Sequence, residues 1–276
     1  MLLADYKIYI DTLIDTYLID TINNDNLKTY IKYSLNGGKR LRPIITLEIH
    51  KIITNSITDN IILSSIAVEL LHNSSLILDD MPCMDNDLYR RGNKTVHNKY
   101  GISIANLLAN FLLGKAFNIY NRCVDTYLLN LICKFTEDIS LGQFFDLHSN
   151  LENMDIDSLI NYTSMKTYPL FSIAFVSGYL LGNGPSDNID LIIQISKSFS
   201  IVFQICDDFE DLEQDNKKTS TFIPNYVIFL GKDKSVILYN KHMDFFRENM
   251  GKLQLYSALF QEITNYLDNK IKKHIK

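Results

Sequence analysis

Residues 192–203 read Ile-Ile-Gln-Ile-Ser-Lys-Ser-Phe-Ser-Ile-Val-Phe. Ile192, Ile195, Phe199, Val202 and Phe203 recur at three- and four-residue intervals, so they share one face of an α-helix and not the alternating faces of a strand. The same interval organises Ile10, Leu13, Ile14, Tyr17 and Leu18, and again Ile104, Leu107, Leu108, Phe111 and Leu112. Sustained strict alternation is hard to find. With 11 Gly and 5 Pro in 276 residues, turn signals are few, and the pattern predicts long helices joined by short loops, an all-α single large helical bundle. Punctuation falls at Asn23 to Asn26, Gly37-Gly38, Pro82, Asn93, Gly182-Asn183-Gly184-Pro185 and Asp215 to Pro224. None has the composition of a linker, so residues 1–276 are read as one domain.

A chain that is 46% hydrophobic and 21% charged can bury a core large enough for such a domain. A formal net charge of -5 gives no general attraction to nucleic-acid phosphates, so a polyanionic substrate must be met by local cations or by metals. The four cysteines, Cys83, Cys123, Cys133 and Cys206, form no CxxC pair and lack the density of a disulfide scaffold, which fits a reducing cytoplasmic setting. Asp5, Asp11, Asp15 and Asp20 interrupt the first twenty residues, as in an amphipathic helix and unlike a signal peptide. Apolar stretches such as Phe171 to Leu181 reach only half of the roughly twenty residues that cross a bilayer, so no transmembrane segment is expected.

Two acidic constellations follow apolar runs. The first is Asp79-Asp80-Met81-Pro82-Cys83-Met84-Asp85-Asn86-Asp87. Carboxylates this dense repel one another, and a divalent cation relieves the repulsion if they share a cavity. Asp79 and Asp85 lie on different faces of an ideal helix, but Pro82 ends the helix and lets the chain curl back. The second is Asp207-Asp208-Phe209-Glu210-Asp211, whose three aspartates project from one helix face, where like charges oppose helix stability. A solvated acidic helix end is the plain alternative for either. Together the two make Mg²⁺ bridging of a diphosphate the natural hypothesis, because Mg²⁺ binds through one or two carboxylates plus substrate phosphates.

Cations accompany them: Gly37-Gly38-Lys39-Arg40-Leu41-Arg42-Pro43, Arg90-Arg91-Gly92 and Lys166-Thr167. Arginine forks take phosphate oxygens bidentately, lysine adds a mobile point charge, and glycine permits close backbone approach. Each is also compatible with an ordinary surface loop. His72 precedes Asp79 by seven residues, nearly two turns along the same side of a helix, where a structural role is the plain alternative.

In order along the chain, GGKRLRP, ELLHNSSLILDDMPCMDNDLYRRGNKTVHNKYG, MKTYPLF and FQICDDFED closely resemble the trans (E-type) isoprenyl diphosphate synthases, the family of farnesyl and geranylgeranyl diphosphate synthases. The resemblance spans Gly37 to Asp211. It implies an isoprenoid-synthase bundle around a central cavity, condensing isopentenyl diphosphate with an allylic diphosphate, and a homodimer. It implies further that Lys39, Arg42, His72 and Arg91 hold isopentenyl diphosphate, and that Arg90, Lys166, Thr167 and Gln204 contact the allylic diphosphate. Asp79, Asp85 and Asp207, supported by Asp80, Asp208 and Asp211, would hold about three Mg²⁺ ions, with Mn²⁺ as a substitute.

The sequence departs from the family after Asp211. Where two Gly-Lys elements are usual it reads Leu212-Glu213-Gln214-Asp215-Asn216-Lys217-Lys218-Thr219 through Pro224, a shortened region in which Lys217 or Lys218 takes the part of one lysine. Ser74 and Ser75, just before Asp79, are small where short-product members tend to carry aromatics, so a twenty-carbon geranylgeranyl product is favoured, with farnesyl diphosphate as the alternative because Leu71 and Val68 could close the pocket deeper. The rival readings are a class I terpene cyclase and a non-catalytic regulatory subunit of the same fold. Lys270, Lys272, Lys273 and Lys276 are read as complementing a helix dipole, with an anionic membrane as the alternative.

Overall fold

The computed structural model describes residues 2–148, 156–215 and 225–275. It bears out the all-α expectation: twelve α-helices and two short 3₁₀ helices among the described residues, with one two-residue-per-strand hairpin. The chain resolves into two compact units, Met1–Asn130 with Ser177–Asn183, and Leu131–Val176 with Gly184–Lys276.

The first unit carries α1 (Leu3–Tyr17), α2 (Asp25–Leu35), α3 (Leu41–Thr54), α4 (Asp59–Asp79), the strands β1 (Tyr89–Arg90) and β2 (Asn93–Lys94), α5 (Val96–Tyr100) and α6 (Ile102–Cys123). Local chemistry sets the starts. Asn24 accepts the Leu27 N–H to cap α2, and the Thr58 hydroxyl accepts the Ile61 N–H to cap α4. α4 is the axis of the unit, packed against α1, α2, α3 and α6. Its sequence is apolar on nearly every side, as a surrounded helix requires, and its small residues Ser64, Ser65 and Ser74 are buried among its neighbours. Gly178 lets a second backbone come close, since a Cβ there would stand 2.6 Å from the Thr46 carbonyl oxygen on α3.

The second unit carries most of α7 (Thr126–His148) and α8 (Ile156–Leu181), then α9 (Ile189–Asp215), α10 (Tyr226–Leu230), α11 (Lys232–Lys252) and α12 (Ala258–Ile275). α9 packs against α10, α11 and α12. The face that decides the fold in sequence is the one the core uses: Phe199 lies 5.1 Å from both Phe171 and Phe246, centroid to centroid, and Phe175 and Phe260 close the cluster. Each such fully buried ring contributes about 1.5–3 kcal/mol.

One expectation is corrected. Asp59–Asp79, Ile102–Cys123 and Ser186–Leu212 are each long and apolar enough, by length and composition, to cross a membrane. Scattered Ser and Asn break the apolar runs in sequence without making the helices polar. Most of the first and third is buried inside the protein, whereas only a third of α6 is, with Ile102 and Leu107 exposed.

Candidate active site

In the first unit the Gly37-Gly38-Lys39 loop joins α2 to α3 and leaves Lys39 exposed. Gly37 has φ 74° and Arg40 φ 57°, both left-handed. Glycine accepts this freely, but for arginine it costs about 1–2 kcal/mol and persists only where the surroundings hold it. Three bonds hold Arg40: Nε donates to Asp11 Oδ1 on α1 at 2.8 Å, Nη1 to Glu69 Oε1 on α4 at 2.7 Å, and Nη2 to the Leu35 carbonyl closing α2 at 2.6 Å. Arg42, in the first turn of α3, brings Nη1 to 3.2 Å from His72 Nε2. A guanidinium only donates, so Nε2 accepts and the ring proton sits on Nδ1, a buried atom without a partner among the described residues. Burial, and then Arg42, Arg91, Arg90 and Arg40, push the His72 pKa well below the usual histidine range. His72 is therefore a neutral donor.

The hairpin turns through Arg91 and Gly92, whose φ values of 53° and 75° match the twist of a two-residue hairpin. This aims Arg91 back at the loop, where Nη1 donates to the Asn36 carbonyl at 3.3 Å. Burial does most to lower the Arg91 pKa, Glu69 and Asp80 oppose that, and Arg40 and Arg90 add to it.

α4 ends at Asp79 and the chain does curl back: the Asp85 N–H donates to the Asp79 carbonyl at 2.9 Å, and the Met84 and Asn86 N–H groups both donate to the Met81 carbonyl. Asp79 and Asp85 thus start from adjacent backbone. Asp80 turns the other way. It is 3% exposed and receives Arg90 Nε at 2.7 Å and Nη2 at 2.5 Å. Ser75 lies one turn before Asp79 on the same side of α4, while the Ser74 hydroxyl is buried against the Ala109 carbonyl of α6 at 2.9 Å.

In the second unit, Lys166 and Thr167 lie on α8, whose backbone there is met by α7 at Gly142; a Cβ on Gly142 would stand 2.7 Å from the Met165 carbonyl carbon and 2.8 Å from Lys166 N. Thr167 donates to Gln204 Oε1 at 2.9 Å, and Gln204 Nε2 donates to Asp208 Oδ1 at 2.8 Å. Asp208 Oδ2 accepts the Tyr226 N–H at 2.7 Å, and its carbonyl accepts Asn225 Nδ2 at 3.0 Å. Asn225 in turn caps α10. Asp208, 4% exposed, therefore joins α9 to the start of α10. Asp207 and Asp211 stand nearer to solvent. Lys270 of α12, 6% exposed, reaches Glu210 Oε2 at 2.7 Å and Asp207 Oδ1 at 3.6 Å. Burial works against its charge, but the carboxylates outweigh that and raise its pKa. Lys270 is thus a partner of the second acidic motif and not a dipole or membrane residue.

The model of the polyprenyl synthetase family matches residues 24–221. The chain belongs to that family. Over 227 residues it is 34% identical to the farnesyl diphosphate synthase of Bacillus subtilis, covering 78% of this chain and 76% of that protein. Over 225 residues it is 31% identical to the geranylgeranyl diphosphate synthase of Cyanophora paradoxa, covering 75% of each. The crystal structure of a geranyltranstransferase from Thermotoga maritima shares its fold, with a TM-score of 0.84 over 97% of this chain and 99% of that one at 23% identity. This polyprenyl synthetase is accordingly a trans-prenyltransferase.

The synthetase brings Arg42 to His72 and Arg91 to the Asn36 carbonyl in one unit and Thr167 to Gln204 in the other, with Lys39 exposed on its loop and Lys166 next to Thr167 on α8; Lys217 and Lys218 lie outside the described residues. Among the described residues no three His, Cys, Asp or Glu side chains converge on a point. The donors on offer, Asp79 and Asp85 in one motif and Asp207 and Asp211 in the other, are hard oxygens in pairs, which fits an ion that keeps waters and takes substrate oxygens. Sequence reading named Arg40 and Lys270 without their roles and missed Glu69, Gly142 and Asn225. Of these only Gly142, a lone glycine inside a helical pattern, carries a sequence signal of close approach.

Proposed function

We propose that this trans-prenyltransferase condenses isopentenyl diphosphate with an allylic diphosphate in the presence of Mg²⁺ to give geranylgeranyl diphosphate. The observation that carries the two-substrate reading is the cationic cluster of the first unit. Arg40, Arg42 and Arg91 surround a neutral His72 whose Nδ1–H is unspent, and Asp11 and Glu69 are both bonded to Arg40, so three guanidiniums meet two carboxylates. Such a surplus suits a diphosphate other than the one bound by the aspartates, which a cyclase acting on a single diphosphate does not need.

Asp79, Asp85, Asp207 and Asp211 would hold Mg²⁺, which when bound neutralises charge on the departing diphosphate. Arg90, Lys166, Thr167 and Gln204 would orient that diphosphate. The allylic carbon–oxygen bond breaks and its electron pair leaves with the diphosphate. The isopentenyl π-electrons then form the new carbon–carbon bond, and a proton passes from the adjacent carbon to the released diphosphate. Arg42, His72, Arg91 and Lys39 would fix the isopentenyl diphosphate so that its double bond faces the allylic carbon.

The twenty-carbon product is supported by Ser75, a small residue one turn before Asp79, with Ser74 turned to α6. The test is to incubate the protein with Mg²⁺, labelled isopentenyl diphosphate and dimethylallyl, geranyl or farnesyl diphosphate in turn, and read chain lengths by chromatography. Label carried into a C20 product supports the reading, and Ser75→Phe shortens it. Consumption of geranylgeranyl diphosphate alone to a hydrocarbon would establish the cyclase instead. The family resemblance also supports a homodimer, which sedimentation at micromolar concentration checks.

A further inference from the structure

Arg40 is the more deeply buried of the two arginines in the GGKRLRP segment. Its guanidinium touches the ends or middles of three other helices: Asp11 on α1, the last carbonyl of α2 at Leu35, and Glu69 on α4. Glu69, itself buried, lies three residues before His72 on the same helix. The backbone of Arg40 is held left-handed at the start of α3, two residues before Arg42. The side chain then folds back under the loop it belongs to, because a Cβ on Gly38 would collide with Arg40 Nη1 and would stand 3.2 Å from Arg91 Nη1. Gly38 is thus sandwiched between two guanidiniums, one buried and tied to three helices, the other on the hairpin. Gly38 does not have a left-handed φ, so its lack of a side chain answers to Arg40 and not to the turn.

We infer that Arg40 is a positioning residue: by pinning the Gly37-Gly38-Lys39 loop to α1, α2 and α4, it sets the placement of Lys39 and Arg42 relative to His72 and so governs binding of isopentenyl diphosphate. This rests on the reading above that Lys39, Arg42, His72 and Arg91 take that substrate. Three donors of one rigid fork reach three acceptors in different directions, a task a lysine ammonium on a flexible stem cannot repeat. Arg40 contacts no substrate in this scheme. Its effect passes through the loop.

The test uses Arg40→Lys, which keeps a charge beside the buried Glu69 and so avoids leaving that carboxylate unpaired. It is paired with Gly38→Ala, whose added methyl displaces the Arg40 fork. Steady-state kinetics are measured with each substrate varied, alongside melting temperature. The expected result for both variants is a KM for isopentenyl diphosphate raised about tenfold, comparable to losing one charge-assisted hydrogen bond, with the KM for the allylic diphosphate within about twofold of wild type. In the double variant Gly38→Ala should cost less than it does alone, because the shorter lysine vacates the space the methyl needs. Equal rises in both KM values, a fall in melting temperature with unchanged KM values, or full additivity of the two substitutions would each overturn the inference. Wild-type protein that fails to incorporate isopentenyl diphosphate at all would instead overturn the proposed function.

Discussion

Replacing Gly142 with alanine tests whether the approach of α7 to α8 sets the position of Lys166 and Thr167. The new Cβ would stand 2.7 Å from the Met165 carbonyl carbon and 2.8 Å from Lys166 N, both backbone atoms that no rotamer change can move. Carbon contacts settle near 3.5 Å, so α8 must shift by roughly 0.7 Å or more at that level. Alanine is the better helix former by about 1 kcal/mol, whereas overpacking costs about 1–3 kcal/mol, so the net loss of stability is at most about 2 kcal/mol. The kinetic cost should be larger than that suggests. A displacement approaching 1 Å of the groups that orient a reacting diphosphate lowers the rate by as much as about 10²-fold. The assay is kcat/KM for the allylic diphosphate, with KM for isopentenyl diphosphate and thermal melting measured in parallel. Gly114→Ala on α6 is the control, since nothing lies within 4 Å of a Cβ there, and it should leave kinetics unchanged while raising stability slightly. If Gly142→Ala matched the control in kcat/KM, close helix approach at this point would have no part in placing Lys166.

Asp208→Asn should lower stability by about 2–3 kcal/mol, because an amide cannot accept from both Gln204 and the Tyr226 N–H; unchanged denaturant stability with lost Mn²⁺ binding would make Asp208 a direct ligand instead. Lys270→Met removes a cation beside Asp207 while Glu210, half exposed, keeps access to water, so Mn²⁺ binding measured by electron paramagnetic resonance should tighten; weaker binding would refute the counter-ion role. His242, beside Ser198 on α9, is held by burial at about 4. The unfolded chain binds a proton there that the folded one refuses between about pH 6.5 and that value, so stability is full above pH 6.5 and falls on acidification, with a slope of up to about 1.4 kcal/mol per pH unit. His242→Gln should flatten that slope in urea titrations at pH 7, 6 and 5, and an unchanged slope would place the acid sensitivity elsewhere.

The helical class was legible because a surrounded or half-buried helix must repeat its apolar residues near every 3.6 positions, and Ile192 to Phe203 does so while also filling the aromatic core. The curl of the first acidic motif was legible too, since Pro82 cannot continue α4, and the Asp85 N–H returns to the Asp79 carbonyl. The partners of Arg40 were not. Asp11, Leu35 and Glu69 lie 29, 5 and 29 residues away, and no local pattern marks a charge that is balanced across that distance. Lys270 failed for the same reason: among Lys272, Lys273 and Lys276 it looks like one more solvated cation, and only the packing of α12 on α9 turns it inward to Glu210.

The two acidic motifs share a division of labour that spacing alone does not reveal. In each aspartate pair the second carboxylate is buried and spent on the protein: Asp80 on Arg90, Asp208 on Gln204 and the first N–H of α10. A buried carboxylate that already accepts two charge-assisted or backbone hydrogen bonds gains little from a metal, because taking one on means giving up partners that would then be stranded. The first carboxylate of each pair, Asp79 and Asp207, stays closer to solvent, and a metal would meet it at lower desolvation cost. Consecutive aspartates on a helix point about 100° apart, so a pair of this kind puts one charge toward the interior and one toward solvent. The inward member holds Arg90 or Gln204, the groups proposed to orient the diphosphate, against the same helix that presents the outward one. On the proposed function, placement of the diphosphate and placement of its counter-charge would be coupled through a single peptide bond, and substituting either aspartate should disturb both.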